Sequence, residues 1–344
     1  MYRVGVVGLG QIAYHIDNDP NRDIIWSHIG AYKTFQNIKI EAVCDVSTKL
    51  VEEVKKDCNI ELGYTNYNEM LENNKFDLVS ICTPISSHYE IIKKCVSCGV
   101  KAIFCEKTLT YSVEEAEEII KLCEENKVTL AVNHILRWDN LNRTVKELLD
   151  DETIGKIYSI TGYGSTALHT SASHLIDMMC FFAGIPEWVV GVKQTDIVRI
   201  AHGIEDHGGI GAIKFESGII GFIKATSVSQ YRYMYELDIL GEEGRIKIYN
   251  NGKDFDLYLY SSENSSAGTN YESLKLIDNK PKVVKNERMI DAIEDILNCL
   301  ENGGSPVSNG ITSLDTIKII EGLKKSSDET QITLLKDYVN KSFA

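Results

Sequence analysis

The run RVGVVGLGQIA near the start of the chain constrains the fold more than any other stretch. Its apolar, β-branched first half reads as a buried strand, and Gly8-Leu9-Gly10-Gln11-Ile12-Ala13 follows at once. A glycine at the end of such a strand permits a tight turn, and a second lets the backbone approach a pyrophosphate. The helix expected to open there aims its free N–H groups at the anion. Ala13 in the third position still lets helix pack closely on strand. The order strand, turn, helix gives the pattern its weight, because three small residues alone carry little.

An acidic residue at the end of the second strand of such a unit takes the adenosine ribose hydroxyls. Asp45, in EAVCDVS, stands there. It lies further from Gly10 than the roughly twenty residues usual for this pattern. An insertion after the first helical turn, YHIDNDPNRDIIW from Tyr14 to Trp26, accounts for the excess. A carboxylate at this place, with no arginine directly after it, favours NAD over NADP. The insertion brings His15, Asp17, Asp19, Arg22 and Trp26 to the carboxyl edge of the sheet, where ligands bind, and is expected to line the substrate pocket.

Up to about residue 125, strand patterns (RVGVVGLG, IKIEAVCDVS, DLVSICTPI, VKAIFCEKT) alternate with helical ones (STKLVEEVKKDC, SHYEIIKKCVSCG, SVEEAEEIIKLCEEN). That alternation argues for a parallel sheet covered on both faces. Ser112 is placed to cap the third helix, with Glu115 as its capping-box partner. After about residue 150, KIYSITGYGS, EWVVGVKQT, GIGAIKFE, GIIGFIKATSV, YELDILG, GRIKIYN and DLYLYSS read as strands joined by short turns, which indicates an antiparallel sheet. SHLIDMMCFFAG interrupts them as a helix stopped at Gly184, SSENSSAGTN reads as a loop, and two helices follow near ERMIDAIEDILNCLENG and TSLDTIKIIEGLKKS.

Composition narrows the function. The net charge of −14 disfavours nucleic acid and anionic membrane as partners. No apolar run is long enough to span a bilayer, and MYRVGVVGLG lacks the layout of a signal peptide. Nine cysteines without a secretory signal point to a reducing compartment, the cytoplasm. Cys95 and Cys98 form a C-x-x-C pair at a helix end with no second pair nearby, and Cys82 and Cys105 read as buried strand residues. His169/His174 and His202/His207 have a spacing that does not share a helix face, so no metal site is expected.

Thr83-Pro84 with His88 in ICTPISSHYEII, then Cys105-Glu106-Lys107 in AIFCEKT, resemble the Gfo/Idh/MocA oxidoreductases, the family of glucose–fructose oxidoreductase and inositol dehydrogenase. The likeness continues through NHILRWD, IGKIYSI, HLIDMMCFFAG, LDILGEEGRIKI and the final helices, nearly the whole chain. The resemblance implies an α/β Rossmann dinucleotide-binding domain, residues 1–124. It also implies an α+β domain with a large open, mostly antiparallel sheet for substrate binding and oligomerisation, residues 125–344. The implied activity is NAD(P)-dependent oxidation or reduction of a secondary alcohol of a sugar, sugar derivative or nucleotide sugar. The rivals are an NAD-dependent glycosidase working by transient oxidation and a non-catalytic dinucleotide sensor. A carbohydrate-type substrate and a homodimer or homotetramer hiding the open sheet face are the expected partners.

On the same resemblance, Lys107 stabilises alkoxide character and His174 acts as general base, an imidazole titrating near neutrality. His169 shares proton handling, and Asp177 shares a helix face with His174. Gly8, Gly10, Gln11, Ile12, Asp45, Thr83, Pro84, His88, Glu106 and Lys107 border the cofactor. Arg137, Trp138, Thr170, Tyr231 and Arg232 join Lys107 and His174 as substrate candidates. The chain departs from the family pattern at Thr108, where proline is usual after the lysine, and at Thr170, where many members carry aspartate. Those departures and the insertion put the family's Lys/Asp/His triad in doubt.

Overall fold

The protein is described here by a computed structural model covering residues 1–201, 203–228, 232–262 and 271–338. Tyr231, His202 and most of the expected loop SSENSSAGTN lie outside the described residues. In chain order the first elements are β1 (Tyr2–Val7), α1 (His28–Tyr32), β2 (Ile38–Cys44), α2 (Thr48–Cys58), β3 (Leu62–Tyr64), α3 (Tyr67–Asn73), β4 (Leu78–Ile81), α4 (His88–Ser97), β5 (Ala102–Cys105), α5 (Val113–Glu125) and β6 (Thr129–Val132). Then come α6 (Asn140–Asp150), β7 (Ile157–Gly164), α7 (Ser173–Ala183), β8 (Pro186–Ala201), β9 (Ile204–Phe215), β10 (Ile220–Ala225), β11 (Tyr235–Gly241), β12 (Gly244–Tyr249), β13 (Asp254–Ser261) and β14 (Ser273–Leu276). The last are α8 (Arg288–Asn302), α9 (Gly310–Glu329) and β15 (Thr333–Leu334).

The residues divide into two compact units, Met1–Trp138 with Asn286–Leu314, and Asp139–Lys285 with the chain from Asp315 onward. In the first unit, six parallel strands lie in the order β3-β2-β1-β4-β5-β6. β4 and β5 are buried at every position, as strands covered on both faces must be. The division expected at residue 124 falls one strand short, because β6 pairs with β5. The unit also recruits α8 from late in the chain, whose Met289, Ala292, Ile293, Ile296 and Leu297 join the core around Val4, Phe104 and Trp138. Local patterning sees the apolar stripe of α8 but not which sheet it covers.

The glycine turn does not open directly into an α-helix, as expected. Tyr14 N donates to Gly10 O at 3.3 Å, the chain then leaves the helical path, and it returns where His28 N donates to Ile12 O at 3.1 Å and Ile29 N to Ala13 O at 3.0 Å. His28 and Ile29 thus take the places that residues 16 and 17 hold in an uninterrupted helix. The insertion read from the sequence is an excursion spliced into that helix after its first turn. Asp17 closes it: its carboxylate accepts from Trp26 N (2.7 Å), Ser27 N (3.2 Å) and Ser27 Oγ (2.5 Å). Trp26 lies between the guanidinium groups of Arg22 and Arg288, 4.5 and 4.2 Å from its ring.

The second unit holds nine strands in the order β14-β13-β12-β11-β7-β10-β9-β8-β15. All neighbours are antiparallel except β7 and β10. α7 packs on β7 and β10, with Leu175 against Gly162 and Met179 against Gly221. On the opposite face Val192, Ile210 and Phe222 are 68%, 50% and 44% exposed. Ser112 caps α5 by accepting from Glu115 N (3.3 Å), and its hydroxyl donates to Glu114 Oε2 at 2.8 Å. Cys105 is buried, whereas Cys82, one residue beyond β4, is partly exposed.

Candidate active site

The strand order of the first sheet reverses between β1 and β4, and in parallel sheets such a switch point opens a crevice at the carboxyl ends of the strands. Four loops leave from those ends: Gly8–Ala13 after β1, Asp45 after β2, Thr83-Pro84 after β4 and Glu106-Lys107 after β5. Gly8 has φ of 87°, and a Cβ built on it would lie 2.8 Å from the carbonyl carbon and oxygen of Cys82. Only glycine lets β1 end this close to β4. A Cβ on Gly10, by contrast, would meet nothing within 4 Å, so this backbone faces open space. The exposed Gly10-Gln11 and half-exposed Ile12 begin a helical turn, whose first N–H groups have no partner within the turn. This is a fitting cradle for a pyrophosphate.

Asp45 is held in two directions. One carboxylate oxygen accepts from Leu9 N at 2.8 Å, and the other from Ser47 N at 2.8 Å. The first bond ties the end of β2 to the glycine turn itself. A carboxylate offers about four lone-pair sites, so the group keeps capacity for a ribose diol. Ser87 Oγ donates to Pro84 O at 2.8 Å and lies 2.8 Å from Thr83 Oγ1, whose hydroxyl can donate to it, which shapes the loop after β4. His88, expected beside the cofactor, is instead fully buried. Its ring lies between Thr83 O (2.8 Å from Nε2) and Leu109 O (3.1 Å from Nδ1). Burial pushes its pKa below the ordinary histidine range, and the neutral ring, with a single N–H, donates to one of these two carbonyls.

Glu106 anchors a buried polar chain. Its Oε1 lies 3.0 Å from His28 Nε2 and accepts from Asn133 Nδ2 at 2.6 Å. His28 Nδ1 lies 2.9 Å from Ser80 Oγ, which is 2.7 Å from Tyr32 Oη. Burial pushes the Glu106 carboxyl up, but the hydrogen bond and charge of His28, the Asn133 amide and the charge of Lys107 outweigh it and hold the group below its usual range. Lys107 is partly exposed, and the peptide bond from it to Thr108 is cis.

Arg137 and Trp138, expected at the substrate, turn inward. Trp138 is fully buried, packs edge-on against Phe104, and donates from Nε1 to Asp295 Oδ2 at 2.9 Å. Arg137 is 6% exposed and reaches Val307 O at 3.4 Å. Trp138 thus fastens α8 to the 3₁₀ turn Ile135–Trp138 beside the first sheet, and Arg137 fastens the segment that follows α8.

In the second unit, His174 sits partly exposed in the first turn of α7, and Asp177 follows one turn later, fully buried. His169 is buried, and its Nε2 lies 3.1 Å from Glu321 Oε1 on α9. Thr170 meets the carboxylate that its own side chain lacks. Asp206, on β9, accepts from His169 N (2.9 Å), from Thr170 N (2.9 Å) and from the Thr170 hydroxyl. The sequence offered only one hint of this residue, an acidic side chain within a Gly-rich strand pattern. His28, Ser80 and Asn133 gave none, being single polar residues in apolar context. Arg232 is exposed at the end of the described gap. No group of three or more His, Cys, Asp or Glu side chains among the described residues is placed to hold a metal ion.

Comparison with known proteins agrees with this architecture. Residues 2–134 match the GFO_IDH_MocA oxidoreductase family with its NAD-binding Rossmann fold, and residues 161–247 match the GFO/IDH/MocA C-terminal domain. The chain belongs to the Gfo/Idh/MocA family of oxidoreductases. It is 50% identical over 93 residues to an uncharacterised protein of Haemophilus influenzae, covering 27% of this chain and 90% of that one. It is 22% identical over 354 residues to the myo-inositol 2-dehydrogenase of Thermotoga maritima, covering 98% and 99%. The solved structure of levoglucosan dehydrogenase in complex with NADH and L-sorbose matches with a TM-score of 0.80 at 19% identity, over 97% of this chain and 98% of that one. At that identity the structural match speaks for the fold.

The inward placement of Trp138 yields a direct check. Trp138→Phe keeps an aromatic ring but removes the donor to Asp295, and is expected to lower unfolding stability by about 1–3 kcal/mol. Its kcat/KM is expected to stay within about threefold of the parent, since Trp138 is fully buried in the core. Thermal unfolding and steady-state kinetics measure the two.

Proposed function

We propose that this protein is an NAD-dependent dehydrogenase of a secondary alcohol on a sugar or cyclic polyol. The observation that carries the reading is the crevice of the first unit, where the glycine turn, Asp45 and Lys107 all leave the carboxyl ends of neighbouring strands. Membership of an NAD-binding oxidoreductase family supports the same reaction class. The myo-inositol and levoglucosan dehydrogenases among its relatives support a ring-shaped polyhydroxy substrate. The carboxylate of Asp45, followed by the uncharged Val46, supports NAD over NADP, because a 2′-phosphate there meets like charge.

Bound NAD would supply the hydride acceptor for the carbinol carbon. The chain's residues supply the rest. The Lys107 ammonium donates to the reacting hydroxyl and stabilises its alkoxide character, and His174 takes the hydroxyl proton. Gly8, Gly10, Gln11 and Ile12 seat the pyrophosphate, while Thr83 and Pro84 border the nicotinamide side. Asp177 supports the His174 turn of α7, and Arg232 and Thr170 stand as substrate contacts. Glu106 positions Lys107. The excursion from Tyr14 to Trp26 lines the substrate pocket.

Incubating the protein with NAD⁺ and a panel of cyclic polyols, free sugars and nucleotide sugars, and following reduced nicotinamide, tests the reading. Net reduction with at least one polyol or sugar is expected, and Lys107→Met is expected to cut kcat at least about 100-fold with NAD⁺ affinity kept within a few fold. Glycoside cleavage without net reduction, or NAD⁺ binding with neither across the panel, contradicts it.

The free face of the nine-stranded sheet supports a homodimer, with a second copy covering it. Val190, Ala212 and Phe222 stand in register across β8, β9 and β10, and Val192 pairs with Ile210 beside them. Contiguous apolar surface of this kind marks an interface. Nine free cysteines and the absence, among the described residues, of any helix long and apolar enough to cross a membrane support a cytoplasmic enzyme. Light scattering is expected to give twice the chain mass or a multiple of that, and Phe222→Asp to shift it toward one chain. A parent protein of monomer mass contradicts the dimer.

A further inference from the structure

We infer that His28 is a positioning residue of the reaction proposed above: it holds the Glu106 carboxylate in place beside Lys107, from the helix that the 14–27 excursion interrupts. The inference rests on the reading of Lys107 as the catalytic lysine. His28 has no exposed surface, and its ring lies against Phe104 with centroids 4.6 Å apart. Packing alone asks for an apolar side chain at such a place. The cost of burying imidazole, hydroxyl and carboxylate together is offset only when each finds a partner.

The partners form one connected chain. Glu106 is anionic and only accepts, so His28 Nε2 carries the hydrogen and donates to Glu106 Oε1 at 3.0 Å. His28 Nδ1 lies 2.9 Å from Ser80 Oγ, and Ser80 Oγ lies 2.7 Å from Tyr32 Oη, so each polar group in the series has a partner. The chain runs from Tyr32 on α1 to Ser80 on β4, back to His28 on α1 and on to the loop after β5, and Asn133, just past β6, adds a second donor to the same carboxylate oxygen at 2.6 Å. The titratable groups around Glu106 are His28, Lys107, His88, Cys82 and Cys105. Cys82 and Cys105 are pushed far up by burial and His88 is pushed down by it, so all three are uncharged near neutrality. That leaves His28, which donates to the carboxylate, and Lys107, whose charge acts on it.

Tyr32 and Ser80 are buried, so the chain ends in the core rather than in water. It locks a geometry; it does not conduct protons. The lock also explains why the excursion can be spliced in without loosening the site. His28 re-enters the helix through its N–H bond to Ile12 O, and Asp17 pins the neck of the excursion one residue earlier, at Ser27.

The depressed Glu106 pKa contributes stability that is fully present above the unfolded carboxylate range and is lost as pH falls through the folded value. Without the His28 donor, burial gains weight and the carboxyl takes its proton at higher pH. Three variants of the full chain test this. His28→Leu removes the donor, His28→Gln keeps an amide N–H near the place of Nε2, and His28→Asn keeps a polar contact near Ser80 but falls short of Glu106.

His28→Leu is expected to lower kcat at least about 10-fold, to move the acid limb of the pH–rate profile up by about one unit, and to leave NAD⁺ affinity within about threefold. His28→Gln is expected to recover most of both effects, and His28→Asn neither, so the pair carries the test if the leucine variant does not fold. Melting temperature between pH 7 and pH 4.5, read without substrate, is expected to fall more steeply in His28→Asn than in the parent or His28→Gln. A folded His28→Leu or His28→Asn with the parent's kcat and acid limb overturns the inference, as does a glutamine variant no better than asparagine. If the parent itself turns over no polyol or sugar, the dehydrogenase reading fails, and the melting comparison still decides whether His28 holds Glu106 anionic.

Discussion

At Gly8 the chain leaves the central strand of the parallel sheet through a backbone conformation that side chains rarely adopt, with the carbonyl of Cys82 where a Cβ would stand. This close approach fixes the glycine turn against the end of β4. The next amide in the turn, that of Leu9, is taken by Asp45 from the neighbouring strand on the other side. Three strand ends are thereby held to one another by a steric constraint and a charge-assisted hydrogen bond. Gly10 projects from this frame into open space, and the loops carrying Thr83 and Lys107 leave from the same edge. The site is rigid where it holds the cofactor because its parts are braced across the sheet.

The helix after the turn is the unusual part. Its first turn and its continuation are separated by the excursion, yet the hydrogen-bond ladder resumes at His28 as though the intervening residues were absent. Asp17 closes the neck with three acceptor contacts, and Arg22, Trp26 and Arg288 stack to fasten the tip toward α8. The residue at the re-entry point is the same histidine that reaches Glu106. Local closure of the excursion and the setting of the carboxylate beside Lys107 therefore share one side chain.

Much of the first unit was legible in the sequence, because alternation of buried strands and amphipathic helices is a local signal. Asp45 could be placed just past the second strand, where the structure has it, despite its distance from Gly10, since the excess could be assigned to the Tyr14–Trp26 insertion. What local pattern could not give was partnership. α8 carries a clear apolar stripe, but nothing in its own residues says that it completes the first unit's core. Trp138 and Arg137 look like exposed recognition residues in NHILRWD, and only the three-dimensional placement of Asp295 and Val307 draws them inward. Thr170 reads as the loss of a carboxylate, yet Asp206 supplies one from a strand far along the chain. His88 matched a family motif, and the structure gives it a buried place between two backbone carbonyls in place of a cofactor contact. In each case the missing information is a long-range hydrogen bond between polar groups, which leaves no periodic trace in sequence.

The account turns on the braced glycine turn and Asp45 forming a site for NAD. Titration calorimetry of the full chain with NAD⁺ and, separately, NADP⁺ tests this most directly. The account predicts one NAD⁺ site per chain and at least about tenfold weaker binding of NADP⁺, since the 2′-phosphate meets the Asp45 carboxylate. Equal or tighter binding of NADP⁺, or no binding of either dinucleotide, would contradict it.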